Sequence, residues 1–236
     1  MRTLSFIFVL IFAVGVSAQS YSVRQSFTDG TKLARSGDFE KALSTYLGAL
    51  EAVNDERISS DFVARLHYNI GVCEYRLDRS DAAVSELEKA IELRHGDYAQ
   101  ASYALGMAES VRQNWPKARL AFLAAVRSNK TNGEAWFDLG LAYLGENDLA
   151  NAETAFRNAV ANRSVDSPVG HNNIGVLLAL KGDIAAAEKE FQTALRSTNG
   201  KLPEAKSNLE YCRTHAATQL SAKSELAYAV RVSGTF

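Results

Sequence analysis

Gly, Ala and large apolar residues recur along this chain at a fixed period. Gly stands at Gly30, Gly71, Gly106, Gly140 and Gly175, in steps of 41, 35, 34 and 35 residues. Ala42, Ala83, Ala118, Ala152 and Ala187 repeat the same four steps, and so do Ala49, Ala90, Ala125, Ala159 and Ala194. Between the two Ala series lies a large apolar residue: Tyr46, Leu87, Phe122, Phe156 and Phe191. Apolar positions three and four apart within such a period predict two amphipathic helices per unit. The small residues mark where helices approach closely, and the large residue fills the space beside them. Turns inside the pairs are predicted at Gly37-Asp38, Asp78-Arg79, Asn114, Asn147-Asp148 and Gly182-Asp183. Pro116, Pro168 and Pro203 fall at helix starts, where proline is tolerated.

The clearest unit reads Trp136-Phe137-Asp138-Leu139-Gly140-Leu141-Ala142-Tyr143, then Ala152-Glu153-Thr154-Ala155-Phe156. It carries the W-x2-L-G-x2-Y and A-x3-F signature. The chain therefore resembles the tetratricopeptide repeat family over roughly Val23 to Arg213. The resemblance implies an all-α fold: a right-handed α-solenoid of about five helix pairs and a C-terminal capping helix. The repeats are expected at about 23–56, 64–97, 99–132, 133–166 and 168–201. The cap is expected at 203–215, within a repeat domain of 23–215. The family's proline near the end of each second helix is missing. The first step of 41 residues carries about seven extra, and Ser59 predicts an early, capped start to the next helix.

Both ends fall outside the repeats. Arg2, the uncharged run Leu4–Val16 and the small residues Val16-Ser17-Ala18 form a secretory signal peptide, residues 1–18, with cleavage expected after Ala18. Residues 19–22 are a short linker. The expected location is secreted or periplasmic, and no later apolar run reaches membrane-spanning length. The tail, residues 216–236, alternates Leu226, Tyr228, Val230 and Val232 with Ala227, Ala229, Arg231 and Ser233. That is strand periodicity. The expected reading is a mobile terminus; the alternative is a strand added to a partner's sheet.

Composition narrows the chemistry. With 26 basic and 27 acidic side chains the net charge is -1, so nucleic acid is not the expected partner. No zinc-protease, phosphate-loop, nucleophile-elbow or dinucleotide motif is present. No catalytic residue, metal ligand or cofactor is expected, and the chain reads as a non-enzyme. His67 and His171 occupy the same register, four residues before a repeat Gly, and read as packing residues. Cys73 and Cys212 are also equivalent, four repeats apart, too far for a disulfide.

In the family the first helix of each pair lines a concave groove. Carried onto this sequence, the groove would hold Phe27, Tyr68, Tyr103 and Phe137 as an aromatic ladder, followed by Asn172. Val72, Met107 and Leu141 lie one helical turn on, Tyr75 extends the face, and Arg65, Asn69 and Asn173 add polar contacts. The carboxylate clamp of chaperone-binding relatives does not carry over: its positions hold Phe27, Thr31, Asn69, Gln100 and Ala104, of which only Asn69 matches. The expected function is a non-enzymatic scaffold outside the cytoplasm. It would bind an extended or helical protein segment during envelope assembly or secretion. A cell-wall or carbohydrate-binding module and an accessory subunit of an enzyme complex are the alternatives. Partner identity and self-association stay open.

Overall fold

The structure is a computed structural model; it describes residues 22–53, 58–164 and 167–215. The signal-peptide and tail readings therefore lie outside the described residues. Those described are all-α, with eleven helices and no strand among them. They fall into two compact units, divided between Arg112 and Gln113.

The first unit contains α1 (residues 22–35), α2 (Phe39–Glu51), α3 (Ser60–Arg76), α4 (Ser80–Glu92) and α5 (Ala99–Val111). The second contains α6 (Trp115–Ser128), α7 (Gly133–Gly145), α8 (Leu149–Ala161), α9 (Ser167–Leu180), α10 (Ile184–Ser197) and α11 (Pro203–His215). Within the units α3 packs on α4, α7 on α8 and α9 on α10 as pairs. Successive pairs are joined by α2 on α3, α4 on α5, α8 on α9 and α10 on α11.

The three ladders form the inside of these pairs. All fifteen residues of the two Ala series and the large-residue series are at most 2% exposed. A Cβ added at Gly140 would sit 2.6 Å from the Phe156 ring, and one at Gly175 2.6 Å from Phe191. Gly30 meets Tyr46 and Gly71 meets Leu87 in the same way. In these four pairs the large side chain of the second helix thus lies against the bare backbone of the first helix. Burying such a side chain stabilises the fold by about 1.5–3 kcal/mol.

The turns inside the pairs share one construction. A residue with positive φ ends the first helix: Gly37, Asp78, Asn147 or Gly182. The next amide closes back on the carbonyl five residues earlier, as Asp148 N–H does to Tyr143 at 2.9 Å and Asp183 N–H to Leu178 at 3.0 Å. Asp38, Asp148 and Asp183 then cap the second helix by accepting from the amide three residues on. The longer first step lengthens α3 to 17 residues, started by Ser59 accepting from the Phe62 amide.

Candidate functional site

In the first unit the expected groove residues sit on α1, α3 and α5. Phe27, Tyr68, Asn69, Val72, Tyr75, Tyr103 and Met107 are all half-buried, and Arg65 is exposed. Phe27 and Tyr68 are partly engaged by their own or the neighbouring pair. Phe27 lies 5.1 Å from Phe62 on α3 and 5.8 Å from Tyr46 on α2. Tyr68 lies 5.3 Å from Tyr98 at the start of α5. Burial, with Tyr98 beside it, pushes the Tyr68 phenol up to about 12, so it stays a neutral hydrogen-bonding group.

Arginines frame this aromatic set. The Arg65 guanidinium stands 4.8 Å over Phe27, Arg24 5.1 Å over Phe62, and Arg94 4.4 Å over Tyr98. Arg94 is also held by Asp61 at 3.2 Å. Cation–π contacts of this kind are worth about 0.5–1 kcal/mol at exposed sites. Asn69 donates to the Arg65 carbonyl at 2.9 Å, and its side-chain oxygen is a further acceptor. The result is a face of half-exposed aromatic and apolar side chains, edged by an exposed guanidinium and a carboxamide. It offers contact area and a few directional groups to a second chain.

The second unit differs. Leu141 is half-buried, but Phe137, Asn172 and Asn173 have no accessible surface. Phe137 packs 5.4 Å from Phe156, unlike the presented rung that the ladder predicts. Asn208 on α11 donates to the Asn172 oxygen at 3.0 Å, and Asn172 donates to Asn173 at 3.3 Å. Each set belongs to its own unit.

Other polar clusters serve packing. His67 Nδ1 meets Glu86 Oε2 at 2.6 Å, and His171 Nδ1 meets Glu190 Oε2 at 2.6 Å. Each pair ties a first helix to its own second helix. Sequence reasoning missed both glutamates, although each stands one residue before the large ladder residue and 19 after its His. It also missed Tyr98, Arg24 and Arg94, which carry no repeat signature. A cleft of about 510 Å³ at the α3–α4 pair is lined by Ser60, His67, Lys89, Glu92, Leu93 and His95. Among the described residues no three His, Cys, Asp or Glu side chains are grouped to hold a metal ion. Nor is any described helix long and apolar enough to cross a membrane. Cys73 and Cys212 are free and buried.

The sequence matches the family described as "Tetratricopeptide repeat" over residues 28–98, 103–167 and 137–201. Among curated proteins it is similar to BBSome complex member BBS4. It is 27% identical to the Mus musculus protein over 170 residues, which is 72% of this chain and 31% of that protein. It is 29% identical to the Xenopus tropicalis protein over 164 residues, 67% of this chain and 30% of that one. The chain thus spans about a third of the length of these relatives. Among solved structures it resembles MamA 41-end from Desulfovibrio magneticus RS-1, at TM-score 0.66 and 21% identity, covering 76% of this chain and 97% of that one. It also resembles YrrB, titled a TPR protein with an unusual peptide-binding site. There the TM-score is 0.67 at 19% identity, covering 86% of this chain and 97% of that one.

Proposed function

The chain belongs to the tetratricopeptide repeat family, and on that premise we propose that it is a non-enzymatic scaffold for protein–protein interaction. The inner face of the first unit would receive an extended or helical segment of a partner. The observation that carries this reading is the half-exposed set Val72 and Tyr75 on α3 and Tyr103 and Met107 on α5, with Arg65 exposed on α3. Half-exposed aromatic and apolar clusters rimmed by polar groups mark contact sites. The structural similarity to YrrB, whose title names a peptide-binding site, and the sequence similarity to a BBSome complex member are consistent with it.

The test is selection of a displayed random peptide library on the full chain. Enrichment of peptides with spaced apolar side chains is expected. Enrichment must also fall at least tenfold on the double variant Arg65→Glu, Tyr103→Ala, checked for unchanged helicity by circular dichroism. Equal enrichment on both proteins would remove the first unit's inner face from the reading.

The location proposed is outside the cytoplasm, as the first 18 residues suggest, with a role in envelope assembly or secretion. Expression in a secreting host, followed by N-terminal sequencing of the exported fraction, should give a chain beginning at Gln19. A chain retained in the cytoplasm with Met1 intact would contradict it.

A further inference from the structure

Arg24 and Arg65 occupy one register, each six residues before a repeat Gly. Both are exposed, Arg24 on α1 and Arg65 on α3. They are cross-paired with rings: the Arg24 guanidinium stands 5.1 Å over Phe62 of α3, and the Arg65 guanidinium 4.8 Å over Phe27 of α1. The two rings lie against each other, with centroids 5.1 Å apart. Two cations are thus held on one platform of two rings. The same register continues with exposed Gln100 on α5, but it holds Glu134 and Val169 in the second unit.

A ring steadies a cation but gives its N–H donors no carboxylate or carbonyl to bond. Each guanidinium has five such donors, in a planar fork that matches a carboxylate with two parallel hydrogen bonds. Among the described residues the Arg24 and Arg65 guanidiniums meet rings and no carboxylate. The acidic side chains of α1, α3 and α5 are already engaged by other cations. Asp29 is 3.0 Å from Lys32, Asp61 3.2 Å from Arg94, Glu74 3.5 Å from Arg79 and Glu109 2.8 Å from Arg112. Arg94 makes the comparison direct. It too stands over a ring, that of Tyr98, yet Asp61 completes it. Arg24 and Arg65 have the ring without the carboxylate. These helices therefore carry positive charge that their own acidic groups do not balance.

We propose that the segment received by the first unit's inner face is acidic, with side-chain carboxylates on Arg24 and Arg65 and apolar side chains on Val72, Tyr75, Tyr103 and Met107. This rests on the reading of that face as a protein-binding site and names the chemistry of what it takes. In an extended segment, residues two or four apart share a side and lie about 7 or 13 Å from each other at ~3.3 Å per residue. That brackets the ~8–10 Å between packed helices. The recognised pattern is thus two Asp or Glu, two or four residues apart, with apolar neighbours. The carboxylates are internal side chains, and no free C-terminus is needed. Because the rings preset both guanidiniums, little side-chain freedom is lost on binding.

The test selects a random peptide library, displayed through its C-terminal ends, on the full chain, either unaltered or as Arg24→Gln, Arg65→Gln. Circular dichroism checks helicity. The pool from the unaltered chain should be enriched at least threefold in Asp and Glu at the stated spacing. The variant's pool should lose that enrichment and keep its apolar residues. The best acidic peptide should bind at least tenfold more weakly once its carboxylates are changed to amides, and also when NaCl is raised from 50 to 500 mM. An Arg24→Lys, Arg65→Lys chain, which keeps the charge but not the fork, should bind it with intermediate affinity. Apolar peptides enriched without acidic residues overturn this inference and leave the protein-binding reading standing. No enrichment of any peptide overturns both. Equal acidic enrichment on the Arg24→Gln, Arg65→Gln chain overturns the assignment to these two arginines.

Discussion

Gly140 and Gly48 are both helical glycines, and the same substitution should move them in opposite directions. Alanine is the better helix former by up to about 1 kcal/mol. At Gly48 an added Cβ meets nothing within 4 Å, so Gly48→Ala should raise stability by roughly 0.5–1 kcal/mol. At Gly140 it would stand 2.6 Å from the fully buried Phe156 ring, so Gly140→Ala should cost roughly 1–2 kcal/mol net. Urea unfolding midpoints followed by circular dichroism decide both signs. A second residue-scale expectation concerns Cys73, whose thiol burial pushes up to about 11. Thiolate is the reactive form, so a disulfide reagent at pH 8 should modify neither Cys73 nor Cys212 until urea is added. Fast labelling of the folded chain would contradict their placement inside the helix pairs.

At the scale of elements, carboxylates tie helices together and should make the pairs acid-sensitive. Burial alone would raise the Glu86 carboxyl, but hydrogen bonds from Lys89 and His67 outweigh it and hold it below its usual 4.5. Glu153 on α8 is likewise held below 4.5, where hydrogen bonds from Lys181 and Arg157 outweigh burial. A carboxyl with a lowered value in the folded state takes up a proton less readily than in the unfolded chain. Its contribution is therefore present above about pH 4.5 and lost as pH falls through the folded value. Glu86→Gln and Glu153→Gln should each lower the urea midpoint at pH 7 and flatten its decline between pH 5 and 3. Unchanged slopes would show that neither ion pair is coupled to folding. Sequence spacing exposed the helix pairs but not these links. The Gly and Ala ladders recur because the pairs share the same close approach, whereas among the described residues Glu86 has a bonded counterpart only at Glu190, and Glu153 joins α8 to Lys181 just after α9.

For the whole molecule, the repeat period made the all-α fold legible, because each ladder position is buried in every pair. The same period says which side of a helix a residue lies on, and not what lies beyond that side. Phe27 and Phe137 share a register, yet Phe27 is half-buried while Phe137 is enclosed. Nor does the 34- and 35-residue spacing mark the division between Arg112 and Gln113, since helix pairs on both sides use the same ladders.

The first unit's inner face is proposed to receive a protein segment. Titration calorimetry tests it most directly, using one library-selected peptide and three full chains. These are the unaltered chain, Arg65→Glu with Asn69→Ala, and Leu47→Ser, which changes an exposed side chain on α2. The Arg65→Glu, Asn69→Ala chain should bind at least tenfold more weakly, a loss of about 1.4 kcal/mol or more, while Leu47→Ser should bind like the unaltered chain. Equal affinity across all three, with helicity intact, would contradict it.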